Sequence, residues 1–195
     1  MKKLGLLLLT LAIAALLVGA ASAQGRTDDG PYFLTYYSNA NTTGAPDETV
    51  RIINGGASNS SNLYANFYVF DDSEELTECC SCLVTPDGLL SESVNKQLTS
   101  NPVTGLKPTR GVIKVLASAQ NDATTVGTGN NVLGIGLTGW STHIQKLSSG
   151  YLLTEASMRE MTLTAVELEL LDNLCKFDAL LSGKPCSCTP EDQDF

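Results

Sequence analysis

Residues 63–70 read Leu-Tyr-Ala-Asn-Phe-Tyr-Val-Phe. Successive side chains of an extended chain point to opposite faces, so Leu63, Ala65, Phe67 and Val69 share one face. Tyr64, Asn66, Tyr68 and Phe70 share the other. The first face belongs on a core. The aromatic face either packs under a further layer or stays open as a binding surface, and packing is the commoner fate of such a face.

Similar short apolar or alternating runs occupy 32–37, 50–53, 80–84, 89–98, 112–117, 132–137 and 142–147. Stretches rich in Asn, Ser, Thr and Gly separate them, as at 38–48, 54–62 and 118–131. Many short strands between turn-rich loops predict a mainly β domain, sandwich-like in an Ig-like or jelly-roll-like manner. Thr85-Pro-Asp-Gly88 predicts a tight turn and hence a hairpin between the runs on either side, with proline presetting φ and Gly88 free to take the conformation that follows. Runs 89–98 and 112–117 are expected to be neighbouring strands joined by a wandering loop.

One amphipathic helix is expected at 165–181. Thr164 with Glu167 makes a capping box, Leu163 and Leu168 a hydrophobic staple, and Gly183 stands where a helix ends. Val166, Leu170, Leu174, Phe177 and Leu181 recur at the helical period, with Leu171 and Cys175 beside them. That stripe is expected to lie on a sheet, with Cys175 at its edge.

The chain opens with Lys2 and Lys3, an apolar run and Ala21-Ser-Ala23, which together read as a signal peptide over 1–23, cleaved before Gln24. A flexible N-terminus (24–31), a single β-rich domain (32–190) and an acidic tail (191–195) follow. Export implies a secreted or periplasmic location with no membrane span after cleavage. Removing residues 1–23 of 195 takes Lys2 and Lys3 with it, leaving 172 residues with 10 Lys plus Arg against 21 Asp plus Glu, a net charge of −11. Such a balance repels phosphate backbones and argues against nucleic acid as a partner.

Six cysteines in an exported chain point to disulfides. Cys80 and Cys82 project from one face of a strand and Cys79 from the other; Cys186 and Cys188 share a face if 184–189 is extended. Two rungs, Cys80 to Cys188 and Cys82 to Cys186, leave Cys79 for Cys175. Each bridge closes a loop of about 100 residues, for which chain entropy predicts about 4 to 5 kcal/mol. The rival is a thiolate metal site. The remoteness of His143 and the absence of CxxC spacing weigh against it.

Other candidates are thinner. Asp71, Asp72, Glu74, Glu75 and Glu78 could offer oxygens to calcium but lack the EF-hand pattern, so a solvated turn is expected. Gly134, Gly136 and Gly139 match GxGxxG without the strand-turn-helix setting of a dinucleotide site, and read as close approach of another layer. Ser141 and His143 share a strand face and suggest a small hydrolase, although strand mates two apart rarely meet and the setting is not GxSxG. Ser93 to Lys96 matches SxxK within what reads as strand. Asn41 and Asn59 head glycosylation acceptors, discounted because the short Lys-Lys signal looks bacterial. No cofactor is expected.

The run from Phe70 to Leu90, FDDSEELTECCSCLVTPDGLL, followed by Asn101-Pro102 and a closing Cys186-Ser-Cys188, resembles a group of secreted bacterial proteins that carry no assigned function. The resemblance covers 50–188 and implies a secreted, cysteine-stapled domain. It transfers no catalytic residue. The expected role is a non-enzymatic structural, adhesive or binding module meeting a protein or glycan partner at the cell exterior, with the small hydrolase second and the metal-binding protein third.

Overall fold

A computed structural model describes residues 30–56 and 61–182. Among them are nine strands: β1 (Pro31–Ser38), β2 (Thr49–Asn54), β3 (Leu63–Asp71), β4 (Leu76–Val84), β5 (Leu89–Ser93), β6 (Arg110–Ser118), β7 (Leu137–Leu147), β8 (Gly150–Ser157) and β9 (Arg159–Thr162). A helix, α1 (Ala165–Ser182), follows them, and one π-helical turn, Val94–Leu98, follows β5.

The alternation at 63–70 places β3 between two packing layers, with one face in each. Its neighbours β4 and β6 are antiparallel to it, with Phe67 opposite both Cys80 and Val115 and Ala65 opposite both Cys82 and Ala117. The five-stranded sheet runs β4-β3-β6-β1-β9, and a four-stranded sheet, β5-β2-β7-β8, faces it. Between them Leu63, Phe67 and Val69 meet Ile52, Val50, Ile113, Val115, Phe33 and Leu137 in one apolar core. The mainly β sandwich with one C-terminal helix is thus what the periodicity predicts.

The other face of β3 is a second packing layer. Tyr68 is fully buried and donates its hydroxyl to the Ala123 carbonyl at 2.7 Å. Around it Tyr32, Leu116, Val126, Leu163, Leu168 and Leu171 form a smaller core under α1 and the loop ahead of β7. The molecule therefore has three layers: helix, sheet, sheet.

Several local expectations change. Thr85–Gly88 is a turn closed by Gly88 N donating to Thr85 O at 2.8 Å, but it joins strands of different sheets and makes no hairpin. Asp87 takes the left-handed φ of 58°, while Gly88 is needed for room, since a Cβ there would stand 2.7 Å from the Thr85 carbonyl. Run 89–98 stops being strand at Ser93, whose hydroxyl accepts from Lys96 N and caps the π-helical turn; SxxK is a cap. β5 and β6 lie in different sheets, so the expected neighbours are apart. Run 132–137 yields only an isolated bridge, Ser118 with Leu133, whereas β7 begins earlier than expected and β8 and β9 were not anticipated.

The helix is rotated from its expected setting. Leu168, Leu171, Asp172, Cys175 and Asp178 are buried, while Val166, Leu170, Phe177 and Leu181 face outward. Two local constraints set this. Leu163 and Leu168 both enter the smaller core, as the staple demands, and Cys175 is bonded inward to Cys79. Positions three, four and seven residues from Cys175 must then point in as well. Thr164 caps the first turn by accepting from Glu167 N at 3.2 Å, but the Glu167 carboxylate pairs with Lys114 of β6, so the box is half made.

Candidate functional sites

The Cys79–Cys175 bond forms, with Cα atoms 5.7 Å apart and a sequence separation of 96. Cys80 and Cys82 point the other way into the inter-sheet core, as strand parity predicts, and both are disulfide-bonded. Their expected partners, Cys188 and Cys186, lie outside the described residues, as do the acidic tail, Asn59 and the signal segment. A cleft of about 430 Å³ opens beside the bond, lined by Cys79, Cys175, Ser81, Asp122, Thr124 and Asp178. Burial raises the Asp178 carboxyl to about 6, and its Oδ2 lies 3.8 Å from Cys79 Sγ. Burial also pushes Asp122 upward, but hydrogen bonds from Thr124 and Thr125 outweigh it and hold that group below the usual carboxylate value.

Ser141 and His143 meet, contrary to the expectation for strand mates: Ser141 Oγ is 3.2 Å from His143 Nε2. The same Oγ lies 2.6 Å from Thr35 Oγ1 of β1, across the two sheets. The imidazole stacks on Tyr36 with centroids 4.1 Å apart. Burial pushes its pKa below the ordinary histidine value, with the Tyr36 backbone opposing. Among the described residues no carboxylate hydrogen-bonds Nδ1. Ser141 is 2% exposed and His143 6%. A serine nucleophile needs a carbonyl carbon brought against Oγ, and this Oγ is enclosed between sheets with Thr35 on it. The cluster pairs buried polar groups with one another and links β1 to β7.

Glu48 makes a second link at the same place. Its carboxyl accepts from Ser38 N at 3.2 Å and from Ile144 N at 2.7 Å, while Ser38 Oγ donates to the Ile144 carbonyl at 2.7 Å. Glu78 does the equivalent on the far side, accepting from Ser100 N and Oγ, both at 2.8 Å. Desolvation raises each of these glutamates to about 7, against the pull of those hydrogen bonds. Glu78 therefore leaves the acidic surface run it was grouped with. Strand parity contains the signal: Glu78, Cys80 and Cys82 are successive alternate positions on the inward face. Asp178 is signalled by lying three residues after the inward Cys175, whereas Glu48 carries no comparable signal, because the segments that bury it fold over from elsewhere in the chain.

The remaining acids form a turn. Asp71 Oδ1 accepts from Ser73 N at 2.8 Å and Glu75 N at 3.0 Å, and Asp72 pairs with Arg110. Among the described residues no cluster of three or more His, Cys, Asp or Glu side chains could hold a metal ion. Gly139 sits where a Cβ would stand 2.5 Å from Met158 Sδ and 2.9 Å from Ile52, and Gly134 is equally close to Leu63. These glycines permit close packing of layers, as expected. Asn41 gives its side-chain amide to Thr99 Oγ1 and the Pro108 carbonyl.

No family model matches the chain, and no curated protein does. A solved structure similar to it is that of Thermotoga maritima 1070, at 10% identity and a TM-score of 0.45, covering 71% of this chain and 99% of the other. A likeness of that degree carries no functional argument. Among the described residues no helix is long and apolar enough to cross a membrane.

Proposed function

We propose that this protein is a secreted, disulfide-stapled β-sandwich that acts as a non-enzymatic structural, adhesive or binding module outside the cytoplasm, toward a protein or glycan partner. The observation that carries this reading is where the reactive side chains lie. Ser141, His143, Thr35, Glu48 and Glu78 are all buried and hydrogen-bonded to other parts of the fold, while apolar side chains stand outside it. The outer face of the four-stranded sheet adds a half-buried Trp140 beside Arg51, with Arg51 paired to Glu155, a surface of the mixed aromatic and polar kind that binding modules present.

The 3.2 Å approach of Ser141 to His143 favours a second reading, a small hydrolase. A fluorophosphonate probe separates the two, since it labels activated serines whatever their substrate. The expected result is no adduct by intact mass; a Ser141 adduct that disappears in His143→Ala would replace the module with the hydrolase. The third reading, a thiolate metal protein, has lost the sulfurs of Cys79 and Cys175 to their mutual bond.

A further inference from the structure

The rotation of α1 leaves its longest apolar stripe in solvent. Val166, Leu170, Leu174, Phe177 and Leu181 lie on one helical face; Val166 is 79% and Phe177 62% exposed, and Leu180 beside them is 83% exposed. At 1.5 Å per residue the stripe is about 22 Å long. It continues across a cleft of about 260 Å³ between α1 and the sheet, where Leu174, Phe177 and Leu181 face Leu76 and Val103. Soluble monomers rarely leave contiguous apolar patches beyond a few hundred Å² uncovered.

We propose that a second copy of this chain covers the stripe, the two α1 helices packing antiparallel across a two-fold axis near Leu174. The proposal rests on the reading of the protein as a module that works through its surface, and it names the partner for this face. Three observations favour a second copy over other occupants. The area fits: the exposed side chains of the stripe offer on the order of 600 Å² per copy, close to the roughly 800 Å² per partner of a standard interface once a polar rim is added.

The charges fit as well. Glu169 and Lys176 are both exposed and both flank the stripe on the same side. Antiparallel packing about the stripe's centre brings Glu169 of one copy against the partner's Lys176, and the symmetry makes the pair twice. A parallel arrangement would carry the partner's Glu169 and Lys176 to the opposite side of the seam and leave the pair unmade. Finally, the chain outside the described residues is poorly made to cover the stripe. After Ser182 it reads Gly-Lys-Pro-Cys-Ser-Cys-Thr-Pro-Glu-Asp-Gln-Asp-Phe, and ahead of Gly30 the expected mature chain contributes Gln-Gly-Arg-Thr-Asp-Asp. Phe195 is the one large apolar side chain in either. An anionic lipid surface is disfavoured by the net charge of −11 expected of the exported chain.

The test is sedimentation equilibrium on the exported protein, its cleavage first checked by intact mass, from sub-micromolar to high-micromolar concentration. A concentration-dependent monomer–dimer equilibrium is expected. Leu170→Glu/Phe177→Glu should abolish it while keeping the parent's circular dichroism spectrum and its melt at concentrations where the parent is monomeric, because neither side chain belongs to a core. Glu169→Lys alone should weaken the dimer at least tenfold, and Glu169→Lys/Lys176→Glu should restore it. A chain monomeric at every concentration overturns the proposal, whether hydrogen exchange then finds the stripe protected by tail residues or flotation finds it on neutral lipid vesicles. A dimer indifferent to the double glutamate variant overturns it equally, and one that the charge swap fails to restore overturns the antiparallel arrangement. Fluorophosphonate labelling is read separately, so losing the dimer and losing the module are distinguishable results.

Discussion

The two cores of this molecule are held by different means. Between the sheets, Phe67, Val69, Ile52, Ile113 and Val115 pack side chain against side chain over the length of the strands. Under α1 the apolar contacts are fewer, two of the buried helix positions are aspartates, and a covalent bond spans the layer. Burial dominates the first, with Cys80 and Cys82 disulfide-bonded at its edge strand and the Thr35–Ser141 hydrogen bond crossing it. The second combines modest burial with a tether, which is how a small core with acidic members can persist.

Breaking the larger core should cost most. Phe67→Ala removes a fully buried ring in contact with both sheets and is expected to cost about 3 to 5 kcal/mol, lowering the cooperative melt of the whole molecule. A loss under 1 kcal/mol would mean that the inter-sheet core does not dominate. Cys175→Ala should cost about 3 to 4 kcal/mol, less than the chain-entropy figure because measured disulfide contributions commonly fall short of it. Its effect should be regional: hydrogen exchange should quicken across α1 and the 119–133 loop while β3 and β6 keep their protection. Uniform quickening would show that the outer layer and the sandwich unfold as one unit.

Group by group, the smallest effect concerns pH, and it places the two kinds of interior on one scale. Glu48 and Glu78 have folded values near 7, above their ordinary carboxylate values, so the folded state holds protons that the unfolded chain has already released. Their contribution to stability is full below about pH 4 and is lost as pH rises through 7, amounting to about 3 kcal/mol for each group. Asp178, near 6, adds a smaller change of the same sign from the outer layer. Melting should therefore occur at higher temperature at pH 5 than at pH 8, and Glu78→Gln should flatten that difference and be the more stable protein at pH 8. A variant less stable than its parent at pH 8 would show that Glu78 is held ionised by Ser100.

The sandwich was legible because period-two alternation survives wherever one face of a strand is buried, as it is at 63–70 and at Cys80 and Cys82. The Cys79–Cys175 bond followed from the same parity. The helix setting is ambiguous in the sequence because the helix carries two apolar faces. Counting apolar residues favours Val166, Leu170, Phe177 and Leu181, whereas the face that goes in holds Asp172 and Asp178. Leu168, already marked by the staple with Leu163, was the residue that should have decided between them. β8 leaves no alternation to read, because its side chains are almost all exposed. Ser141 and His143 could be paired from sequence, but their enclosure could not be foreseen, since it depends on Thr35 and Tyr36 about a hundred residues away.

If the chain is exported as proposed, the sequence separation of 96 between Cys79 and Cys175 also imposes an order on its biogenesis. A chain delivered amino end first presents Cys79, Cys80 and Cys82 to the oxidant while Cys175 has yet to emerge. Each of those three thiols must then stay unpaired or be reshuffled until nearly the whole polypeptide has arrived. Yield of the correctly linked product should accordingly depend on a disulfide isomerase more than on an oxidase.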